Sequence, residues 1–272
     1  MTFERQRRTA TSSLVAAVDY SIVVPAFNEE AFLPKTLLSL KEAMEPIPHN
    51  GEVIVVDNNS YDATAELARE HSARVVFEEH RQIARSRNAG AQKARGRWLI
   101  FVDADTQVSQ RLLQRALAEL ESGRCVGGGS LVCFDEDLRW PATVLLNFWN
   151  YIALRRGLAA GSFVYCLKSA WQETGGFSER VYASEEIWFS LSLQSWGRKQ
   201  EPPLSFTIIE DAPLITSNRK AHWYSPSALV FQFLLLIVFP FGIFSRRFCS
   251  VWYDRSVVNR KGREGKDGSL LF

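Results

Sequence analysis

Several features that would identify common classes of protein are missing from this sequence. Its four cysteines, Cys125, Cys133, Cys166 and Cys249, show no close metal-binding spacing, so free thiols buried among apolar neighbours are expected. The formal net charge is only +2, which gives no argument for a nucleic-acid partner, and none is expected. Charges near the N-terminus are not followed by a long apolar core, so no signal peptide is predicted. Reduced thiols without a signal favour the cytosolic side.

Two nucleotide-binding signatures are also missing after the first predicted strand. Residues 23–30 contain no G-x-G-x-x-G, which a nicotinamide-dependent dehydrogenase would need. They also lack the Gly-rich loop with a basic residue that is typical of nucleotidyltransferases. A nucleotidyltransferase of related architecture stays open as an alternative. So does a non-catalytic, membrane-associated protein that binds nucleotide sugars, because a fold does not prove activity.

The first half of the chain does contain alternating strand and helix patterns. Continuous apolar runs, typical of buried strands, occupy residues 20–27, 52–60, 73–79 and 98–105, with helical patterns between them. This alternation predicts an α/β fold with a Rossmann-like, mostly parallel central sheet and helices on both faces. Pro25 is expected to stop the first strand.

Polar clusters follow three of the predicted strands. They are Pro25 to Glu29, Asp57 to Asn59, and Asp103 to Asp105. Ligands of such sheets bind outside the carboxyl ends of the strands, so the three clusters are expected to share one crevice. Asp103 and Asp105 lie two apart and therefore on one side of an extended chain, where Mg²⁺ or Mn²⁺ would find oxygen ligands. A solvated turn is the alternative.

The ordered motifs resemble glycosyltransferase family 2, whose members have the GT-A fold. The matching segments are SIVVPAFNEE, EVIVVDNNSYDAT, ARSRNAG, WLIFVDADT, GGF and SEE. The resemblance implies an inverting, metal-dependent glycosyltransferase that moves a sugar from a nucleotide-diphosphate sugar to an acceptor hydroxyl or a lipid-linked phosphate. The Gln-x-x-Arg-Trp signature of processive synthases is missing, so transfer of a single sugar is expected.

The resemblance also implies which residues bind the donor. The first cluster matches the segment against the base and ribose, the acid of the second hydrogen-bonds the base, and an Arg-Asn pair closes the pocket. Asn58 and Asn59 replace an Asp-Gly that is frequent in the family, so the base stays open. The residues implied for nucleotide-sugar binding are Pro25, Phe27, Asn28, Glu29, Asp57, Arg87, Asn88, Asp103, Asp105 and Arg219.

The implied metal is Mn²⁺ or Mg²⁺, bound by Asp105 together with Asp103. Asp-x-Asp-x-Gln looks like the metal motif of polyprenyl-phosphate mannose synthases in the same family, which adds Gln107 to the expected ligands. His222 is a further metal-ligand candidate. The alternatives are a surface Gln107 and a His222 that packs beside Trp223.

Glu185 and Glu186 match the acidic pair of the family, and Glu186 is favoured as the general base. Their position in the first turn of a helix is expected to keep both carboxylates ionised through the helix dipole. Ordinary first-turn acids are the alternative. Gly175, Gly176 and Phe177 match the loop beneath the acceptor, or else form a plain turn.

Three regions are expected along the chain. Residues 1–18 form a flexible N-terminus, and residues 19–222 form the catalytic domain. The domain divides into a nucleotide-sugar-binding part, 19–125, and an acceptor-binding part, 126–222. Residues 223–272 form an apolar, membrane-associating helical segment with a basic tail.

The apolar run Ala228–Phe244 is short for a membrane span and contains Pro240 and Gly242. A helix in the membrane interface or a re-entrant hairpin is favoured over a helix packed on the domain and over a true span. This prediction makes the chain peripheral on, or anchored to, the cytoplasmic face of a membrane. A lipid or polyprenyl phosphate then becomes the expected acceptor class.

Overall fold

The computed structural model describes residues 17–134 and 140–216, together with residues 244, 245 and 249. The strands of this part are β1 (Tyr20–Ala26), β2 (Gly51–Asp57), β3 (Arg74–Phe77), β4 (Trp98–Val102), β5 (Thr106–Gln107), β6 (Cys125–Phe134), β7 (Phe163–Leu167) and β8 (Ser205–Thr216). Its helices are α1 (Leu33–Met44), α2 (Thr64–Glu70), α3 (Ile83–Lys93), α4 (Gln110–Glu121), α5 (Trp140–Arg156), α6 (Lys168–Thr174) and α7 (Glu185–Gly197).

All eight strands of the described part belong to one sheet, in the order β3-β2-β1-β4-β7-β6-β8-β5. The strands β3, β2, β1 and β4 are mutually parallel, and β6 is parallel to β8. The strand β7 runs antiparallel between β4 and β6, and β5 runs antiparallel to β8. The predicted α/β architecture with a mostly parallel sheet is therefore confirmed.

Pro25 does not end the first strand, contrary to the sequence prediction. β1 continues through it to Ala26, and Pro25 pairs with Val56 of β2. The carbonyl of Ala26 accepts a hydrogen bond from the Asn58 nitrogen on the β2 side, so the Pro25 nitrogen points to the β4 side. Pairing with β4 already ends at Val23, so no ladder hydrogen bond is lost.

Helices cover both faces of the sheet and bury two separate cores. One core joins the apolar sides of α1 and α4 to one face, and the other joins α3, α6 and α7 to the opposite face. β4 is buried along its whole length because both cores use it. The Ser109 hydroxyl caps α4 by accepting a hydrogen bond from the Leu112 nitrogen at 3.2 Å.

The cysteine prediction is partly wrong. Cys125, Cys166 and Cys249 are buried free thiols, whereas Cys133 is exposed on β6. Among the described residues, no helix is both long enough and apolar enough to cross a bilayer. The predicted apolar segment, 223–272, lies outside the described residues apart from three positions near 244–249.

Candidate active site

The ends of β1 and β2 are joined by hydrogen bonds between their following loops. Asp57 is buried and accepts a bond from the Ser60 nitrogen at 3.0 Å, and the Ser60 hydroxyl accepts one from the Asn28 nitrogen at 3.0 Å. Asn28 and Asn59 have positive φ angles, 52° and 64°, which asparagine tolerates better than most side chains. The first two predicted clusters therefore meet at one fixed edge.

Asn58 has a structural reason to be an amide. Its side-chain nitrogen donates to the carbonyl oxygens of Glu78, at 3.1 Å, and His80, at 2.6 Å. An aspartate here could not donate either bond and would face two carbonyl oxygens. Asn58 is thus tied to the loop after β3, which leaves Asp57 as the acid of this cluster.

A cation and two aromatic rings form an outer wall beside this edge. The Arg81 guanidinium lies 4.5 Å from the Phe27 ring centroid and 5.8 Å from that of Tyr61. The two rings meet edge to face at 5.9 Å. The sequence motif identified Phe27 but not Tyr61. The sequence could have pointed to Tyr61 only as an aromatic residue just after the second polar cluster.

Arg87 connects the aspartate motif to the acidic pair. This guanidinium, only 2% exposed, donates to Glu185 Oε1 at 2.7 Å, Asp103 Oδ1 at 3.0 Å and the Gly161 carbonyl at 2.8 Å. Burial alone would lower the pKa of Arg87, but the nearby carboxylates raise it. The predicted donor and catalytic residues therefore meet around one buried charge.

The Glu186 side chain lies beside this cluster, and its carboxyl group has a shifted pKa. Desolvation, then the charge of Glu185, raises the pKa of Glu186 well above its ordinary value, while Arg87 opposes the rise. The expected influence of the helix dipole, which favours the ionised carboxylate, is therefore opposed at Glu186 by burial and by the charge of Glu185. A Cβ on Gly161 would lie 3.4 Å from Glu186 Cδ and 3.2 Å from Arg87 Nη2, so the Gly161 backbone passes close to both side chains.

Asn88 holds the loop after α6 in place. Its amide nitrogen donates to the Phe177 carbonyl at 2.8 Å and to Glu179 Oε1 at 3.1 Å. Its amide oxygen accepts from the Phe177 nitrogen at 3.0 Å and from Trp171 Nε1 at 3.3 Å. These four bonds face the predicted acceptor loop, and the direct role of Asn88 in closing the nucleotide pocket stays a prediction.

Phe177 supports the site from below. Its ring is buried against Phe101 at 4.8 Å and Phe189 at 4.2 Å, and the Arg87 guanidinium lies 5.2 Å from its centroid. Gly175 and Gly176 precede it with φ angles of 80° and 71°. The loop is therefore a specific left-handed turn packed under Arg87.

The two carboxylates after β4 fit a hard divalent cation. Asp103 and Asp105 are both partly exposed, and one oxygen of Asp103 is bound by Arg87. Within the described ranges, no three or more His, Cys, Asp or Glu side chains group as metal ligands. Mg²⁺ needs no such group, because it commonly takes one or two carboxylates and completes its shell with water and phosphate oxygens.

The remaining predicted ligands are not brought into this cluster. Gln107 pairs with Ile215 and lines a cleft of about 380 Å³ with Ser39, Glu42 and Gln110, and neither aspartate of the motif borders that cleft. Its metal role stays a prediction. Arg219 and His222 lie outside the described residues.

Known proteins share this sequence pattern. A model of the family "Glycosyl transferase family 2" matches residues 21–173. Undecaprenyl-phosphate 4-deoxy-4-formamido-L-arabinose transferase from Pseudomonas fluorescens is 35% identical over 116 residues, 40% of this chain and 34% of that protein. Dodecaprenyl-phosphate galacturonate synthase from Rhizobium johnstonii is 33% identical over 118 residues, 41% of this chain and 35% of that protein. The chain thus spans about a third of the length of these relatives.

Solved structures share the fold. The mannosyltransferase PcManGT from Pyrobaculum calidifontis, in complex with GDP-Man and Mn²⁺, superposes with a TM-score of 0.61 at 16% identity, covering 77% of this chain and 61% of its own. S. aureus TarS 1-349 with UDP-GlcNAc gives 0.58 at 19% identity, covering 74% and 59%. These similarities confirm the GT-A fold. Because the family model covers more than half of its length, the chain belongs to glycosyl transferase family 2.

Proposed function

We propose that this protein is an inverting, metal-dependent glycosyltransferase that moves one sugar from a nucleoside-diphosphate sugar to an acceptor. The bridge that Arg87 makes between Asp103 and Glu185 carries the proposal. It places the residues suited to a diphosphate and the residues suited to an acceptor proton around one buried guanidinium. That arrangement is what a group transfer between two bound substrates requires.

The donor would lie along the edge formed by the loops after β1 and β2. Asp57 offers a buried carboxylate to a base, and the wall of Phe27, Tyr61 and Arg81 offers flat apolar surface beside it. The structural neighbours named above were solved with UDP-GlcNAc and with GDP-Man and Mn²⁺, which supports a nucleotide-sugar donor. Those two neighbours carry different bases, so we leave the base open.

Glu186 would accept the proton of the attacking oxygen, which is an acceptor hydroxyl or the P–OH of a singly protonated lipid-linked phosphate. Glu185 is already engaged by Arg87 at 2.7 Å, so its carboxylate is committed to that ion pair. Glu186 has a raised pKa, which brings a carboxylate base closer to the operating pH. Direct displacement by the activated acceptor on the face opposite the leaving diphosphate inverts the anomeric centre.

Asp105 and Asp103 would hold Mn²⁺ or Mg²⁺. When bound, the ion supplies Lewis-acid neutralisation of the charge on the leaving diphosphate. Arg87 adds a fixed positive charge beside Asp103 and orients that carboxylate through one oxygen. Arg219, Gln107 and His222 remain proposed additional contacts.

The acceptor class we propose is a lipid-linked phosphate. The names of two relatives contain undecaprenyl-phosphate and dodecaprenyl-phosphate, which supports this choice. The proposed location is the cytoplasmic side, peripheral on or anchored to a membrane. Gly175 and Gly176 form the proposed acceptor loop, with Phe177 as its buried support.

The proposal is tested on the full chain with UDP-, GDP- and dTDP-sugars, each with and without Mn²⁺. A thermal-shift screen identifies the donor, and release of nucleoside diphosphate then measures donor cleavage with polyprenyl phosphate as acceptor. Asp105→Ala should abolish transfer while leaving the fold intact. Glu186→Gln should lower the rate by about 100-fold or more and still bind the donor.

Three results would overturn the assignment. Full activity of Asp105→Ala, or activity unchanged by a chelator, would exclude the metal site. Transfer at the wild-type rate by Glu186→Gln would exclude this base. Arg85→Ala serves as a matched control, because this partly exposed arginine lies on the same helix as Arg87 and pairs with the exposed Glu179 at 3.3 Å.

A further inference from the structure

α5 presents an apolar face that no described element covers. Phe148 is 61% exposed, Tyr151 56% and Val144 49%. The spacing of four and then three residues places them on one side of the helix. Among the α5 side chains that the structure describes, the exposed ones are Thr143, Val144, Asn147, Phe148, Tyr151, Leu154, Arg155 and Arg156. We call Val144, Phe148, Tyr151 and Leu154, with Arg155, the α5 face.

The opposite side of α5 is fastened to the domain, so the orientation of the helix is fixed. The Asn150 amide donates to the Val132 carbonyl at 3.1 Å and accepts from the Val132 nitrogen at 3.3 Å. Ala153 is buried. The amide of Gln194 on α7 donates to the Gly157 carbonyl at 2.6 Å, just after the helix ends. The α5 face is therefore held outward by contacts on the inner side.

The charges of α5 all have one sign. The sequence of the helix, WPATVLLNFWNYIALRR, contains no acid and ends in Arg155 and Arg156. The Arg155 guanidinium lies 5.3 Å from the Tyr151 ring centroid, beside the apolar residues. Aromatic and apolar residues next to arginines, without acids, match a bilayer interface, where the rings enter the headgroup region and the cations meet anionic lipids.

The position of the face relates it to the site. Four residues separate Arg156 from Gly161, whose carbonyl binds Arg87. The helix α7 is hydrogen-bonded to the residue that follows α5. Its side chains Trp188 and Leu191 are also exposed, and they follow the acidic pair within the next turn and a half of the helix. Apolar surface thus lies on both helices that border the Gly161 turn.

We propose that the α5 face docks on an anionic lipid bilayer. A bilayer bound here would lie next to the side of the domain from which Glu186 is approached, where a lipid-linked acceptor would be presented. The docking itself does not rest on the proposed transfer reaction. Glu186→Gln removes the proposed base and leaves the docking face unchanged, so the two proposals fail separately.

An environment-sensitive label tests this docking directly, even if another segment also binds the membrane. In a Cys133→Ser background of the full chain, Phe148→Cys is labelled with a nitrobenzoxadiazole maleimide. Leu38→Cys is the matched control, because Leu38 is 52% exposed on α1, which packs on the other face of the sheet. Both proteins are mixed with phosphatidylcholine vesicles that contain phosphatidylglycerol, and with phosphatidylcholine vesicles alone.

Docking predicts a blue shift and brighter emission for the label at 148 with anionic vesicles, and no change at 38. Arg155→Ala and Arg156→Ala should each weaken vesicle binding about fivefold at low salt. Three results would overturn the proposal: no vesicle binding, vesicle binding with a water-exposed label at 148, or a label at 148 that is already shielded without vesicles. The last outcome would mean that another part of this chain covers the face.

Discussion

A single side chain, Arg87, holds three parts of the site together. A guanidinium presents its donors in a planar fork, so it can bind Glu185 and Asp103 through different nitrogens and still reach the Gly161 carbonyl. Lysine offers one compact charge and cannot span these positions. The two acids are therefore positioned relative to each other by a group that also neutralises them.

Replacing Arg87 by Met should destabilise the protein by about 3–5 kcal/mol, because two carboxylates lose their buried partner. Arg87→Lys should recover part of the stability and little of the transfer activity. Urea denaturation and donor cleavage measure the two effects. Arg85→Met is the control: its pair with Glu179 is exposed on both sides, and the expected change is within about 1 kcal/mol. Equal effects at both positions would contradict the central role of Arg87.

The raised pKa of Glu186 predicts opposite effects of pH on activity and on stability. The base works only when ionised, so transfer should rise with pH through the raised pKa. The folded protein holds this proton more tightly than the unfolded chain, so ionisation costs stability as pH increases between the ordinary and the raised pKa.

Glu186→Gln should therefore unfold at a higher temperature than the wild type on the alkaline side of that window and lose the acidic limb of the rate profile. Melting temperatures and rates across pH measure both. The matched variant is Glu185→Gln, which should be destabilised because Arg87 loses one of its two carboxylate partners. A wild-type pH profile in Glu186→Gln would show that another group titrates.

At the scale of elements, α3 fixes the acceptor loop to the donor side. Gln82, before α3, donates to the carbonyls of Glu179 and Val181, and Asn88 within α3 binds both backbone groups of Phe177. The loop after α6 thus has few independent contacts of its own. Its geometry depends on a helix that lies about ninety residues earlier in the chain.

The two glycines of this loop should respond differently to alanine. A Cβ at Gly175 meets nothing within 4 Å, so Gly175→Ala costs only the left-handed conformation, about 1–2 kcal/mol. A Cβ at Gly176 would lie 2.5 Å from both Asn88 Oδ1 and Trp171 Nε1, so Gly176→Ala should cost clearly more and disturb Asn88. Chemical denaturation compares them. Equal losses of unfolding free energy in the two variants would mean that Asn88 and Trp171 can move away from the added methyl group without destabilising the protein.

Local patterns predicted most elements and missed those set by distant contacts. Buried parallel strands are continuous apolar runs, so β1 to β4 could be identified from the sequence. The two-residue β5 exists only through its pairing with β8, which no local pattern encodes. Pro25 looked like a strand end because its nitrogen cannot donate, and only the register shows that no donor is needed there.

The site was predictable as a set of residues but not as an arrangement. The order of the motifs along the chain predicted that Arg87, Asp103 and Glu185 belong to the same site. Arg87 lies 16 positions before Asp103 and 98 positions before Glu185 in the chain. The fold alone determines which acids the guanidinium binds. The contrast between Glu185 and Glu186 follows from that choice, since adjacent residues on a helix point in different directions.

At the scale of the molecule, the predicted nucleotide and acceptor parts share one sheet. β4 belongs to the first part and pairs with β7 of the second, while α7 of the second part packs on the core that α3 covers. Neither part can bury its own apolar surface alone. We therefore expect the described domain to unfold as one cooperative unit.

A fragment ending at residue 125 should fail to unfold cooperatively, because it exposes the β4 edge and lacks the residues of α7 that cover one core. A fragment ending at residue 216 keeps every described strand and should retain a sigmoidal transition. Urea unfolding followed by circular dichroism distinguishes them. A cooperative transition in the shorter fragment would show that the first part is an independent domain.

The placement of β7 has a consequence during synthesis of the chain. β4 is complete at residue 102, but its antiparallel neighbour begins only at residue 163. While the intervening sixty residues emerge from the ribosome, a fully apolar strand waits with one unpaired edge, the kind of edge that recruits other strands. The nascent protein is therefore most exposed to aggregation and most dependent on chaperones in that interval. That exposure ends when β7 closes the sheet and completes the active site.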